Sequence, residues 1–241
     1  MNADAKLEEM ATPEGLDLTE VERGLAVVRA NMELRNRIEQ ISERFLGRPY
    51  VEGPLGGGEG LPEVFRISLD AFDCVTFIET VLALALSSTV NEFIETIRQV
   101  RYENGEIDWA HRNHYMIDWA RRNEARGFIA NIAAGADTVE KTCQLDEIPG
   151  LPTKRVTFHY FPKRSLPRIE AIAQTGDLIL FVSAKDTLDV FHTGLLVERS
   201  GRMLLRHATR AAGAVIEQPL IEFVNINELA GFILLRPLCR R

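Results

Sequence analysis

Cysteine is scarce in this chain, basic charge is in deficit, and long apolar runs are missing. Three cysteines in 241 residues, with no CxxC pair, argue against a disulfide framework or a structural zinc site. Lys and Arg total 28 against 35 Asp and Glu, a formal charge of −7. That balance argues against general binding to nucleic acid or to anionic membrane. No segment approaches the roughly 18 apolar residues that a membrane span needs. The N-terminal MNADAKLEEMATPEGLDLTE is acidic where a secretory signal would be basic and then apolar, so the chain as written is expected to be soluble.

What remains is an ordinary globular composition: 46% hydrophobic, 26% charged and 7% aromatic. Disorder and collagen-like repeats are excluded by those fractions. No internal repeat or low-complexity linker divides the chain. It reads as one domain, 1–241, with a helical extension over 1–46 and a core over 47–241, and a monomer is favoured.

The first half has helical period. From Thr19, a plausible N-cap, apolar residues recur at Leu25, Val28, Met32, Leu34, Ile38, Ile41 and Phe45, and Gly47 stops the run. A loop rich in Gly and Pro follows over 47–60. Further helices are expected over 72–86, 91–101 and 114–125, with a break at 102–105. The second half changes period. Short β-rich segments at 156–161, 177–182, 190–197, 203–207, 214–217 and 232–235 are joined by short turns, which implies an antiparallel sheet. Helices first and strands afterwards predict an α+β fold.

Cys74 is the sharpest chemical feature. It stands in Asp70-Ala-Phe-Asp-Cys-Val-Thr-Phe-Ile-Glu79, where Asp70 or Asp73 caps a helix and Cys74 falls in its first turn. Unpaired N–H groups there favour a thiolate and lower the thiol pKa. The competing reading is a small buried core residue. Cys143, in an unpatterned loop, and Cys239, in the C-terminal tail, read as inert.

A cysteine nucleophile needs a base, and the base needs a partner to orient it. His192 lies near the start of one predicted strand and His207 ends the next, with Arg199-Ser-Gly-Arg202 between them. If Ser200-Gly201 is a two-residue loop, both histidines fall on one face as diagonal neighbours. A three-residue loop would place them on opposite faces.

Other residues carry weaker signals. Arg112, Asn113 and His114, with Asp118 and Trp119, form either a groove-lining cluster or a helix-packing one. Glu79 lies in an apolar helix, where a carboxylate needs a partner, so a salt bridge is expected. Gly56-Gly-Gly58 lacks the Lys-Ser/Thr and the preceding strand of a phosphate loop. His111 and His114 have H-x-x-H spacing with no evident third ligand, so no metal and no cofactor are expected.

Gly47-Arg-Pro-Tyr50, Phe72-Asp-Cys74, Gly176-Asp-Leu-Ile-Leu-Phe181 and His192-Thr-Gly-Leu-Leu-Val197 together resemble the ordered motifs of NlpC-type papain-like cysteine peptidases, which are bacterial cell-wall hydrolases. Asp73-Cys-Val-Thr-Phe-Ile-Glu79, Arg101-Tyr102, Arg112-Asn-His114, Asp118-Trp119 and Arg206-His-Ala-Thr209 resemble more narrowly the N-acetylmuramoyl-L-alanine amidase-like branch. The resemblance implies a papain-like fold with Cys74 as nucleophile, His192 as general base and His207 as its orienting partner. Tyr50, Asp73, Thr76, Arg112, Asn113 and His114 are the candidate substrate contacts. Val75-Thr76 replaces the Ser-Gly common after the family's cysteine, which favours the amidase-like branch. The implied partner is peptidoglycan or a muropeptide, in the cell envelope. The alternatives are a stem-peptide endopeptidase and a catalytically silent cell-wall binding module.

Overall fold

A computed structural model describes residues 13–30, 33–132 and 137–239. The first described helix is α1 (Leu18–Arg29), capped by the Asp17 side chain, which accepts the N–H groups of Thr19 and Glu20. The cap is thus Asp17 and not Thr19. The single helical run expected up to Phe45 is two helices, with α2 over Leu34–Glu43; Met32 lies outside the described residues. Val21, Leu25, Ile38 and Ile41 from these two helices enter the same core as α3 (Cys74–Ala85).

Every residue of α3 from Thr76 to Ala85 is buried. A helix apolar all round must lie at the centre of its layer, and α1, α2 and α4 (Val90–Arg101) pack on it. The chain turns after α4 through Asn104 and Gly105, both left-handed at φ 53° and 68°, and continues into α5 (Met116–Ala125).

Among the described residues eight strands form one antiparallel sheet: β1 (Ile129–Asn131), β2 (Val139–Leu145), β3 (Lys154–Pro162), β4 (Leu178–Val182), β5 (Val190–Arg199), β6 (Arg202–Thr209), β7 (Ala214–Pro219) and β8 (Gly231–Pro237). Their order is β2-β3-β8-β4-β5-β6-β7, with β1 also on β8. The mixed α+β class is as expected, but four elements were not. Cys143 belongs to β2, not to a loop; that strand is held by pairing with β3 and is largely exposed along its first half, so it lacks a strong apolar pattern. β1 is three residues long. The helices α6 (Leu166–Ile172) and α7 (Leu220–Ile226) have seven residues each, too few to show a helical period.

The sheet is covered on both faces. Leu178, Leu180, Val182, Leu195, Ala208 and Ile233 join the core under α1–α5. Their neighbours Ile179, Phe181, Leu196, Leu205, Phe232 and Leu234 join a second core, with Leu166 and Ile169 of α6 and Leu220, Phe223 and Val224 of α7. No described helix is long and apolar enough to cross a membrane.

Candidate active site

Cys74 opens α3, and Asp73 is its N-cap. The Asp73 carboxylate accepts the Thr76 N–H at 2.7 Å, and the Thr76 hydroxyl accepts the Asp73 N–H at 3.0 Å. This reciprocal pair, worth about 1 kcal/mol, fixes the turn that presents the thiol. It also engages two of the candidate substrate contacts: Asp73 and Thr76 hold the helix start, and Thr76 is buried.

The first residues of the Gly- and Pro-rich loop clamp this turn from outside. Phe72 N–H donates to Pro49, Val51 N–H donates to the Phe72 carbonyl, and Tyr50 N–H donates to Gly213. Tyr50, half-buried, therefore runs beside Phe72 and ties the approach to Cys74 to the start of β7.

The thiol meets the sheet where two strands part. The β5–β6 loop is Ser200-Gly201, both at positive φ (52° and 74°), as a tight right-twisted hairpin requires. Pairing runs from Arg199↔Arg202 to Leu195↔Arg206 and ends there. In this alternation the next hydrogen-bonded pair would be Thr193 with Ala208. The Thr193 N–H points at Cys74 Sγ, together with the N–H groups of Cys74 and Val75.

Those three donors do not make a resting thiolate. Burial, reinforced by the Asp73 carboxylate, pushes the Cys74 thiol up to about 12. The expected lowering of its pKa is therefore reversed, because loss of water around the sulfur outweighs the helix start.

His192 and His207 are brought together. His192 Nε2 is 2.5 Å from His207 Nδ1, and His207 Nε2 is 3.0 Å from the Gln218 amide nitrogen. The two-residue loop puts both rings on one face, as the hairpin argument required. Gly194 lets them meet: a Cβ there would lie 2.9 Å from His207 Cβ and 2.8 Å from the Arg206 carbonyl. Phe223 of α7 flanks both rings, at centroid distances of 5.1 and 5.3 Å. Burial depresses His192 to about 3, with help from His207, and burial depresses His207 to about 4. Both rings are neutral at pH 7.

The relation of thiol to base is less direct. α3 packs on the Leu180–Leu195 face, whereas His192 pairs with Phe181 on the other. Cys74 reaches β5 at Thr193, the next residue after His192, and among the described residues no hydrogen bond joins Sγ to either histidine. Catalytic hydrogen bonds are often long without substrate. Asp189, buried, accepts the N–H groups of Val190 and Ile117 and pins the start of β5 to the first turn of α5.

The second polar cluster is turned inward. Arg112 pairs with Glu63 at 2.6 Å and donates to the Gly56 carbonyl at 2.9 Å. Asn113 is buried between the Val100 carbonyl and Arg122. His114 Nε2 lies 2.7 Å from the Trp109 carbonyl, and burial lowers its pKa. Glu79 has the expected salt bridge, to Arg101 at 2.8 Å, and accepts the Trp119 indole N–H at 3.2 Å. Trp119 is in the core, as the helix-packing reading has it, but the Arg112 charge is paired with buried Glu63 and not solvated. Gln218, Phe223 and Asp189 were not singled out from sequence. Alternation along β7 could have placed Gln218, but nothing in the sequence marks Phe223 within so short a helix.

Residues 40–232 match the family described as AmiA-like, N-acetylmuramoyl-L-alanine amidase-like. No curated protein matches the chain. Among solved structures, the fold resembles a Legionella pneumophila protein of the DUF1460 family (21% identity, 99% of each chain, TM-score 0.80). It also resembles an N-acetylmuramoyl-L-alanine amidase from Bacteroides uniformis (24% identity, 90% of this chain and 99% of that one, TM-score 0.73). A Bacteroides fragilis protein named as a candidate xylanase is similar at 26% identity, over 81% of this chain and 98% of that one, with TM-score 0.69.

Proposed function

The chain belongs to the N-acetylmuramoyl-L-alanine amidase-like family, and we propose that it is a cysteine amidase of papain-like type. Its substrate in this reading is the amide between N-acetylmuramic acid and L-alanine in peptidoglycan fragments. Membership in the family implies a hydrolase with a peptidoglycan-related substrate. The observation that carries the cysteine mechanism is a helix-start thiol set against Thr193, one residue from a histidine that is itself hydrogen-bonded to a second.

The chemistry follows from the charges at rest. Thiol and imidazole are both neutral at pH 7, so the proton leaves sulfur for His192 Nδ1 as sulfur attacks the lactyl carbonyl. Nε2 of His192 is engaged by His207, which leaves Nδ1 for this task. In this reading the N–H groups gathered at Sγ receive the developing oxyanion, with Tyr50 as a further donor or substrate contact. His192 then gives its proton to the leaving L-alanine nitrogen. Water hydrolyses the thioester, returning the thiol and a free muramic acid carboxylate.

A glycosidase reading is less favoured. Glycoside hydrolysis generally asks for two carboxyl groups across the bond; here Asp73 is engaged in the helix cap and Glu79 with Arg101.

Mass spectrometry of muropeptides incubated with the purified protein tests the proposal. Release of a stem peptide beginning at L-alanine is expected. Release of an L-Ala–D-Glu dipeptide, free or sugar-linked, would move the cut to the endopeptidase bond and overturn the amidase assignment.

A further inference from the structure

Three neighbouring strands carry a chain of side chains whose protons are interdependent. His192 on β5, His207 on β6 and Gln218 on β7 are joined at 2.5 and 3.0 Å. Gln218 pairs with Leu205, so its side chain shares the face that holds His207. Each neutral ring carries one N–H, and the bond made by one nitrogen decides what the other can do.

The amide end of Gln218 therefore matters. With its nitrogen toward His207, as it stands, His207 Nε2 must accept. His207 Nδ1–H then donates to His192 Nε2, and His192 keeps its proton on Nδ1, where no lone pair remains for a thiol proton. A half-turn of the amide about Cγ–Cδ exchanges its oxygen and nitrogen. With Oε1 inward, His207 donates from Nε2 and accepts at Nδ1 from His192 Nε2–H. His192 Nδ1 is then bare.

We propose that Gln218 is a positioning residue: with its carbonyl oxygen turned to His207, it selects the Nε2–H tautomer of both rings and frees His192 Nδ1 for the Cys74 proton. The use of that free nitrogen rests on the amidase reading; the tautomer is a property of the resting protein. Phe223 packs edge-on against His207 at 5.3 Å. Among the described residues Gln218 is the polar partner of His207 Nε2.

The test is ring-nitrogen NMR of the full chain labelled with 15N-histidine, at pH 8, with steady-state kinetics alongside. The wild type is expected to show N–H at Nε2 on both His192 and His207. Gln218→Leu should mix the tautomers and lower kcat about 2- to 10-fold, the worth of one hydrogen bond, with KM unchanged. Gln218→Glu, which keeps only an acceptor, should retain the wild-type tautomers and most of kcat, and it carries the test if the leucine variant does not fold. Nδ1–H in the wild type, or unchanged tautomers in a folded Gln218→Leu, would overturn the proposal. Nε2–H order in a protein that releases no stem peptide would leave it standing and sink the amidase reading instead.

Discussion

His114 and His207 both sit where burial disfavours the imidazolium, yet their hydrogen bonds lead to different places. His114 closes on the Trp109 carbonyl five residues back, beside an Arg112–Glu63 pair that fastens the glycine loop. His207 instead links side chains on two other strands. A buried histidine that ends on local backbone is a fastener. One that joins side chains across a sheet ties the protonation of one ring to that of the next. If this contrast is right, variants in the two clusters should fail in different ways.

The largest effect is expected at the thiol. Cys74→Ala should lower turnover by about 10⁴-fold or more, with the melting temperature close to wild type and muropeptide binding retained by calorimetry. Arg112→Ala should instead leave the Glu63 carboxylate buried without a counter-charge, held only by the Tyr102 hydroxyl. A stability loss of about 3 kcal/mol by urea denaturation is expected, with kcat within about twofold of wild type. A large rise in KM without that stability loss would make Arg112 a substrate contact.

His207→Ala comes next. It should leave a folded enzyme slowed by about 10- to 100-fold, because the base survives without its orientation. Complete loss, equal to that of Cys74→Ala, would argue that His207 is itself the base.

Acid should separate the clusters further. Folded His192 and His207 resist protonation down to about 3 and 4, while the unfolded chain takes up protons near 6.5. Stability is therefore full well above pH 6.5 and falls as pH drops through it, by about 3 kcal/mol at pH 5.5 for the two rings together. A His192→Gln/His207→Gln variant should show a shallower fall across that window in thermal melts. Within the histidine cluster the smallest effect on turnover is expected from Gly194→Ala, whose methyl would press on His207 and the Arg206 carbonyl. A destabilisation of about 1–3 kcal/mol, with a few-fold lower kcat, would show that the close approach matters.

Much of this arrangement was legible in the sequence, for definable reasons. The helix start at Asp73-Cys74 follows from cap chemistry, and the His192–His207 contact from a two-residue Ser200-Gly201 loop and period-2 alternation. The thiol pKa was not legible, because its direction depends on how much water surrounds sulfur in the folded chain. Nor were β2 and α7: one is held by pairing with β3 rather than by apolar pattern, and the other is two turns long. The inward-facing hydrogen bonds of Arg112 and Asn113 depend on Glu63, Val100 and Arg122, partners that only the tertiary fold brings near.

The claim that Cys74 is the nucleophile is tested most directly by acid-quenching the protein during turnover of a muropeptide and mapping its peptides by mass spectrometry. A muramoyl acyl group in thioester linkage on the Cys74 peptide, and none on the peptides of Cys143 or Cys239, is the predicted result. Turnover that leaves Cys74 unmodified and continues undiminished in Cys74→Ala would contradict it.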